Sequence, residues 1–600
     1  MDTITTAAST FDTTEPNLGE LLSNIRTGKI QLPDFQRGWV WDDNRIRAIV
    51  ASVSMSYPIG AIMTMEVSDE IRFFPRFFEG VEPKPLITPD VLVLDGQQRL
   101  TSLYLSLVNK LPVKTTTEKK EEILRYYYLD MVGCLNPDVD RFDAVLSIPE
   151  AKKLTSDFGR ITTLDLTTRE SEYRNCMVPL SLIFNSTEYV QWKNGFMKFY
   201  NFEPEKMQIL NEFDMNIWLR FQQYKIPVIK LTKNTPKDAV CQVFENVNTR
   251  GVPLTVFELM TATFAADGYK LRQDWEERKK QLKDQKIIKD IDESTFLTAI
   301  TLLNSYQHHK NHQSAVSCKR KDILKLTLEE YRANADKIIG GLFSAARLLA
   351  NEKMFDDKNL PYQTQLIPLS SICAYLGDHL ENVAIKEKVI RWYWNGVFGE
   401  LYGGANETRY ALDIQGVISW IEGGELPPSI RDANFSPTRL LTLQSRLSAA
   451  YKGLMALLMK AGSRDFLNGD TIEITTYFDR AIDIHHIFPK VYCEKQKIPR
   501  DKWNSIVNKA PLSSRTNRII GGHKPSTYLH SIQKEGLSHE QIDSILKSHL
   551  IEPDIIRNDN FDIFLQKRAG YLLNLIEQAM GKSVTGRDSD DVIRAFGAPI

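Results

Sequence analysis

Near its C-terminal end the chain reads Asp483-Ile484-His485-His486-Ile487-Phe488-Pro489, followed by Val507-Asn508-Lys509-Ala510-Pro511-Leu512-Ser513-Ser514-Arg515-Thr516-Asn517-Arg518. Two histidines end an apolar strand, and two asparagines nine residues apart follow it. Hydrolysis of a phosphodiester needs an activated water and a cation beside the phosphate, so one imidazole base and two or three metal ligands suffice. His486 is read as the general base, because a neutral imidazole takes a proton from water near neutral pH. His485 and Asn517 are read as ligands of Mg2+, Mn2+ or another divalent ion, with Asp483 as a substitute oxygen donor. Adjacent strand residues face opposite ways, so His485 and His486 share one site only where the strand ends or bulges, and Pro489 marks such an end. Asn517 is expected in the first turn of a helix capped by Ser513 or Ser514, and Asn508 is expected to tie the connecting loop through its amide.

Charge agrees locally. Residues 481–530 hold nine Lys or Arg (Lys490, Lys495, Lys497, Arg500, Lys502, Lys509, Arg515, Arg518, Lys524) against Asp483, Glu494 and Asp501. This predicts a basic face for DNA, with Arg515, Arg518 and Lys524 as its contacts. The whole chain has a formal charge of -1, so affinity for nucleic acid must come from such patches.

A second constellation is N-terminal and has three parts. The first is Gln31-Leu32-Pro33-Asp34-Phe35-Gln36-Arg37-Gly38-Trp39-Val40-Trp41, after which Asp42 or Asp43 caps a helix with Ile46, Ile49, Val50 and Val53 on one face. Phe35, Trp39 and Trp41 are read either as core or as a platform for a base. The second part is the strand Val91-Leu92-Val93-Leu94, then Asp95-Gly96-Gln97-Gln98-Arg99 and a helix with Leu100, Leu103, Tyr104 and Leu107 inward. Such a strand, turn and helix N-terminus offers backbone N–H groups to an anion, and Arg99 can fork onto a phosphate. Asp95 has three open roles, holding Mg2+, orienting water or capping the helix. The third is Phe244-Glu245-Asn246-Val247-Asn248-Thr249-Arg250-Gly251, between a helix opened by Thr235 and Pro236 and one with a capping box from Thr255 to Glu258.

Together these segments are similar to GmrSD-type, modification-dependent (type IV) restriction endonucleases. HHIFP, VNKAP and RTNRIIG resemble their C-terminal His-Asn-His (HNH, ββα-metal) nuclease module. PDFQRGWVW, DGQQR and FENVNTRG resemble, in order, their ParB-like N-terminal domain. Many members carry Asp or Glu immediately before the base, where this chain has His485, which leaves the choice of metal open. The resemblance implies a nucleoside triphosphate site (GTP, ATP, CTP or UTP) whose turnover licenses cleavage of modified double-stranded phage DNA. By position, its residues are Gln36, Arg37, Asp95, Gly96, Gln97, Gln98, Arg99, Asn248 and Arg250. Two alternatives stand beside it: an N-terminal domain that itself cuts while the HNH site is auxiliary, and a nucleotide-regulated DNA-binding component with a degenerate HNH site.

With 600 residues, 42% hydrophobic and 25% charged, the chain supports several cores. The expected architecture is multidomain α+β: a flexible lead over 1–18, the ParB-like α/β domain over 19–265, a helical connector over 266–469, and the HNH module with C-terminal helices over 470–600. Strands are expected near 61–67, 91–94, 126–131 and 226–231, and helices over 331–351, 385–397, 439–461 and 561–580. The six cysteines, Cys134, Cys176, Cys241, Cys318, Cys373 and Cys493, form no CxxC pair, which fits a reducing, cytoplasmic compartment. No Walker-type loop, signal peptide or membrane span is expected, and a homo-oligomer is left open. His308, His309 and His312 have helical spacing, but their QHHKNHQ context lacks acids, so no metal is assigned to them.

Overall fold

A computed structural model of the chain describes residues 11–34, 36, 38–67, 73–82, 87–156, 160–233, 235, 255–404, 406–474, 477 and 482–600, with the backbone alone at Asp483. These divide into two compact units, residues 1–272 and 273–600. Among the described residues no helix is long and apolar enough to cross a membrane.

The first unit is built on a mixed six-stranded sheet. Its strands are β1 (Phe11–Thr14), β2 (Ile30–Pro33), β3 (Ile62–Glu66), β4 (Pro75–Arg76), β5 (Val91–Asp95) and β12 (Val228–Leu231), in the order β1-β12-β3-β5-β2-β4. The β12/β3 and β2/β5 pairs are parallel and the other three antiparallel. Helices Leu18–Thr27, Asp43–Ser54 and Gln97–Leu107 bury Leu22, Ile25, Ile46, Val50, Leu100 and Leu103 in one core. Asp42 is the cap of the second helix and accepts from the Arg45 N–H at 2.9 Å. A smaller sheet centres on β7 (Glu122–Asp130), which pairs with β6 (Val113–Thr116), β8 (Val145–Pro149) and β11 (Met177–Pro179), and β9 (Lys153–Ser156) pairs with β10 (Ile161–Asp165). Where the sequence predicts a loose lead over 1–18, β1 instead forms an edge strand against β12 with every side chain exposed. Its ladder of backbone pairs with β12 is a feature that hydrophobic periodicity does not register.

From Gln273 the connector and the C-terminal module fold as one unit. Helices Glu293–His312, Leu328–Asn351, Leu366–Leu376, Val383–Phe398, Glu407–Ile421 and Ala449–Lys460 make its helical layer. Gly341 lets two of them meet closely: a Cβ there would stand 2.3 Å from the Ser370 carbonyl oxygen. The helix expected over 439–461 is two, Arg439–Thr442 and Ala449–Lys460, with a non-helical turn through Leu443–Ser448 between them. His308 finds the acid that its local sequence lacks, Glu330, 22 positions on at 2.9 Å.

The long helix Phe561–Met580 packs on Val383–Phe398 and Ala449–Lys460. Its last carbonyl, that of Met580, accepts from Arg391 Nε at 3.2 Å and Asn395 Nδ2 at 2.8 Å, which satisfies a helix end that would otherwise be buried and unpaired. Near its start, Arg568 is fully buried. Its Nε donates to the His549 carbonyl at 3.1 Å, and Nη1 donates to the carbonyls of Lys509, at 2.9 Å, and Val507. Burial pushes this guanidinium down to about 9. His549 is itself fully buried, bonded through Nε2 to the Arg464 carbonyl at 2.7 Å.

Burial lowers the His549 pKa from 6.5 to about 4, with Arg568 adding to the effect. The folded value lies below the unfolded one, so the stabilisation is complete above pH 6.5 and is lost as pH falls toward 4. This group alone should cost residues 273–600 about 3 kcal/mol across that window. In acid-unfolding curves His549→Asn should flatten the dependence over the same range; a slope equal to that of the wild type would refute this assignment.

Candidate functional site

The residues singled out in the sequence lie in two places, one in each unit. In the first unit, β5 ends at Asp95 and the helix Gln97–Leu107 begins two residues later. Gly96 makes the turn at φ +96°, and a Cβ there would stand 2.3 Å from Ile62 Cδ1, so both backbone and space require glycine. Glycine is also the N-cap, so no side chain closes the first turn of the helix.

The segment around Gln36 is brought onto this turn. Gln36 is buried, and its Nε2 donates to the carbonyls of Val93 at 2.8 Å and Leu94 at 3.0 Å. Gln98 accepts from the Val40 N–H at 2.9 Å and donates to the Gly38 carbonyl at 3.2 Å. Trp39 Nε1 donates to Ser102 Oγ at 3.0 Å, and Glu79 accepts from the Trp39 N–H at 3.0 Å. Trp39 and Trp41 pack against the core yet also line a cleft of about 430 Å3 with Glu79, Asn109 and Lys114, so they serve as core and as wall together. Gln97 is buried.

Arg99 does not point free toward a ligand. Its Nη1 donates to the Ile59 carbonyl at 2.7 Å and its Nη2 pairs with Asp95 at 3.0 Å. Asp95 is thus an ion-pair partner rather than the helix cap. Arg37, Asn246, Asn248 and Arg250 lie outside the described residues. The capping box after them is present: Thr255 accepts from the Glu258 N–H at 3.2 Å, and Glu258 accepts from the Thr255 N–H at 2.7 Å.

In the second unit, β13 (Asp483–His486) pairs antiparallel with β14 (Lys509–Leu512), and the helix Ser514–Ile520 follows at once. Asn508 locks the loop between the strands. It is fully buried, its Oδ1 accepts from the Phe488 N–H at 2.8 Å, and its Nδ2 donates to the carbonyls of Phe488 at 2.9 Å and Trp503 at 2.8 Å. Tyr528 adds a hydrogen bond from its hydroxyl to the Ile487 carbonyl at 3.0 Å. β13 ends at His486, and within it His485 stands opposite Ala510 and His486 opposite Lys509 in regular register.

Ser513 caps the helix by accepting from the Thr516 N–H at 3.2 Å, and Asn517 follows in the exposed first turn. Asp465 sits beneath this cap, fully buried. It accepts from the Ser513 N–H at 2.7 Å and Thr516 Oγ1 at 2.6 Å. Burial raises the Asp465 pKa, but these hydrogen bonds prevail and hold the carboxyl below its usual range.

His486 Nε2 stands 3.2 Å from Asn504 Oδ1, and its ring lies 5.5 Å from that of Trp503. Burial lowers the imidazole's pKa; the Asn504 hydrogen bond opposes this, while the charges of Lys509 and Lys490 add to it. The neutral form, which can accept a proton, is therefore favoured. Lys509 faces His486 across the strand pair and is buried, not part of the basic surface that its count in the sequence suggests. Its Nζ donates to the Gln444 carbonyl at 2.9 Å, and burial pushes it down to about 8. Arg515, Arg518 and Lys524 are exposed; Arg515 pairs with Glu535 at 3.6 Å and Lys524 with Asp559 at 2.9 Å.

For a metal, the donors offered are the half-exposed His485 imidazole and the exposed Asn517 amide, while the Asp483 side chain lies outside the description. Among the described residues no three His, Cys, Asp or Glu side chains gather as a closed metal site.

Residues 18–265 match the family of the GmrSD restriction endonuclease N-terminal domain. The matched stretch lies within the first unit and holds both the Gln36 segment and the Asp95–Arg99 turn. An uncharacterized protein of Methanocaldococcus jannaschii is 27% identical over 607 residues, which cover 93% of this chain and 98% of its own. That likeness runs beyond the GmrSD-type domain into the second unit.

Sequence alone missed Asn504, Gln444, Asp465 and Arg568, which carry no motif and reach the site from separate segments. The helix pattern around Arg568 offered one signal, since a lone Arg among Phe564, Leu565, Ala569 and Leu572 falls on the apolar face. Asn508→Ala would leave the Phe488 and Trp503 groups unpaired, and should lower the stability of the second unit by about 3 kcal/mol. Calorimetry checks this, and a shift in unfolding temperature below 1–2 °C, roughly the effect of a few tenths of a kcal/mol, would contradict it.

Proposed function

We propose that the chain is a divalent-metal-dependent DNA endonuclease of anti-phage defence that acts on modified double-stranded DNA and is gated by a nucleoside triphosphate. The observation that carries it is the β13–β14 pair closed by Asn508, which ends on His486 and keeps its imidazole toward the neutral form. His486 takes the proton of the attacking water, and Asn508 holds the loop that presents it. Held by His485 and Asn517, with Asp483 on the same strand, Mg2+ or Mn2+ would polarise the phosphate and stabilise charge on the leaving oxygen. Arg515, Arg518 and Lys524 contact the DNA backbone, and their attraction weakens with salt.

Nucleotide phosphates bind at the glycine-capped N-terminus of helix Gln97–Leu107, where the helix dipole and open N–H groups favour an anion. Gln36 and Gln98 fix the walls of this turn, and Arg37, Asn248 and Arg250 belong to the site by resemblance. Arg99 reaches a phosphate only by exchanging its bond to Asp95, so binding and the Asp95–Arg99 pair are coupled. This offers a two-state element for gating.

One observation favours a second reading, in which the N-terminal unit makes the cut: the matched model describes a restriction endonuclease domain and covers only residues 18–265. Cleavage of modified and unmodified phage DNA with Mg2+ or Mn2+, with and without each triphosphate, separates the two. His486→Ala should reduce cutting by about 10²-fold or more and leave triphosphate hydrolysis intact. Arg99→Ala should abolish hydrolysis and leave the second unit folded. Cutting that survives His486→Ala and is lost in Asp95→Ala would transfer the chemistry to the first unit.

A further inference from the structure

The hydrogen bonds behind His486 determine which of its ring nitrogens carries the proton. The Leu441 carbonyl can only accept, and Gln444 Nε2 stands 3.2 Å from it, so the NH2 end of that amide points there and Oε1 points away. Asn504 Nδ2 lies 3.5 Å from Gln444 Oε1 and donates to it. That leaves Asn504 Oδ1 facing His486 Nε2 at 3.2 Å. An amide oxygen has no hydrogen to give, so Nε2 must carry the proton of the neutral ring and Nδ1 must hold the lone pair.

The relay is held from several sides. Lys509 Nζ bonds to the Gln444 main-chain carbonyl at 2.9 Å, the Asn504 N–H bonds to the Arg500 carbonyl at 2.9 Å, and the Trp503 ring lies against the imidazole. Gln444 precedes His486 by 42 positions and lies in the turn that interrupts the helical pattern of 439–461.

We propose that Asn504, backed by Gln444, is a positioning residue that holds His486 as its Nε2–H tautomer, so that Nδ1 is the atom that takes the proton from the attacking water. This rests on the reading of His486 as general base. In the step, the water's O–H bond breaks and its proton goes to Nδ1. The water oxygen forms a new bond to phosphorus, the bond from phosphorus to the leaving sugar oxygen breaks, and that oxygen takes a proton from solvent. Nε2–H stays bonded to Asn504 Oδ1 throughout, and a neutral amide supports the imidazolium without adding charge to the site.

Two-bond 15N–1H correlation spectra of the full-length protein, labelled with 15N-histidine at mildly alkaline pH and assigned with His486→Gln, read the tautomer directly. The wild type should give the Nε2–H pattern, Asn504→Leu a mixture, and Asn504→Asp, which still accepts, the wild-type pattern. In DNA cleavage Asn504→Leu should lower kcat at least about ten-fold, a fraction of what a general base supplies, with KM for DNA unchanged. Asn504→Asp should recover most of that loss, and Gln444→Leu should fall between. An Nδ1–H pattern in the wild type overturns the proposal, as does Asn504→Leu with the wild-type tautomer and kcat. If Asn504→Leu fails to fold, the Gln444→Leu spectrum decides, and an unaltered tautomer there overturns the relay. The spectra need no cleavage, so full cutting by His486→Ala would remove the general-base reading separately.

Discussion

Three backbone carbonyls, those of Val507, Lys509 and His549, converge on the buried guanidinium of Arg568, and the seating of β14 against the long C-terminal helix depends on that convergence. An arginine without a carboxylate is costly to bury, and its depressed pKa records the cost. The carbonyls repay part of it because they too are cut off from water and need donors. The same helix is held at its far end by Arg391 and Asn395. Connector and C-terminal module therefore share one scaffold, to which the strand that faces His486 is tied.

That scaffold gives two similar basic groups different fates. Lys509 and Lys524 lie on neighbouring segments, yet one is buried with a lowered pKa and the other is exposed beside Asp559 with a raised one. The buried lysine is withdrawn from solvent and disfavours protonation of His486. The exposed one remains in contact with solvent. Counting charges along a chain treats them alike, whereas burial separates them.

In the first unit the governing constraint is Gly96. Its positive φ lets β5 run straight into a helix, and the lack of a Cβ lets Ile62 approach the turn. Gln36, through its Nε2, and Gln98, through both ends of its amide, then stitch a segment some 60 residues earlier onto the turn. The Asp95–Arg99 pair closes the turn on itself. Polar residues that look like free ligands in sequence are here part of the structure that holds the turn.

Local features were legible from the sequence because their causes are local. Asp42 as a cap, the Thr255–Glu258 capping box, the strand–turn–helix at Gly96 and the cap at Ser513 each follow from residues within four positions of one another. The helix Phe561–Met580 follows from its apolar spacing. The folding of 273–600 as one unit, the burial of Lys509, the capture of Arg99 by Asp95 and Ile59, and the Gln444–Asn504–His486 relay were decided only in three dimensions. Each depends on hydrogen bonds or burial between segments that hydrophobic periodicity and charge counts treat separately. The sequence determined which groups could do the chemistry; the tertiary structure decided which are withdrawn from water and set the Asn504 amide oxygen against His486 Nε2.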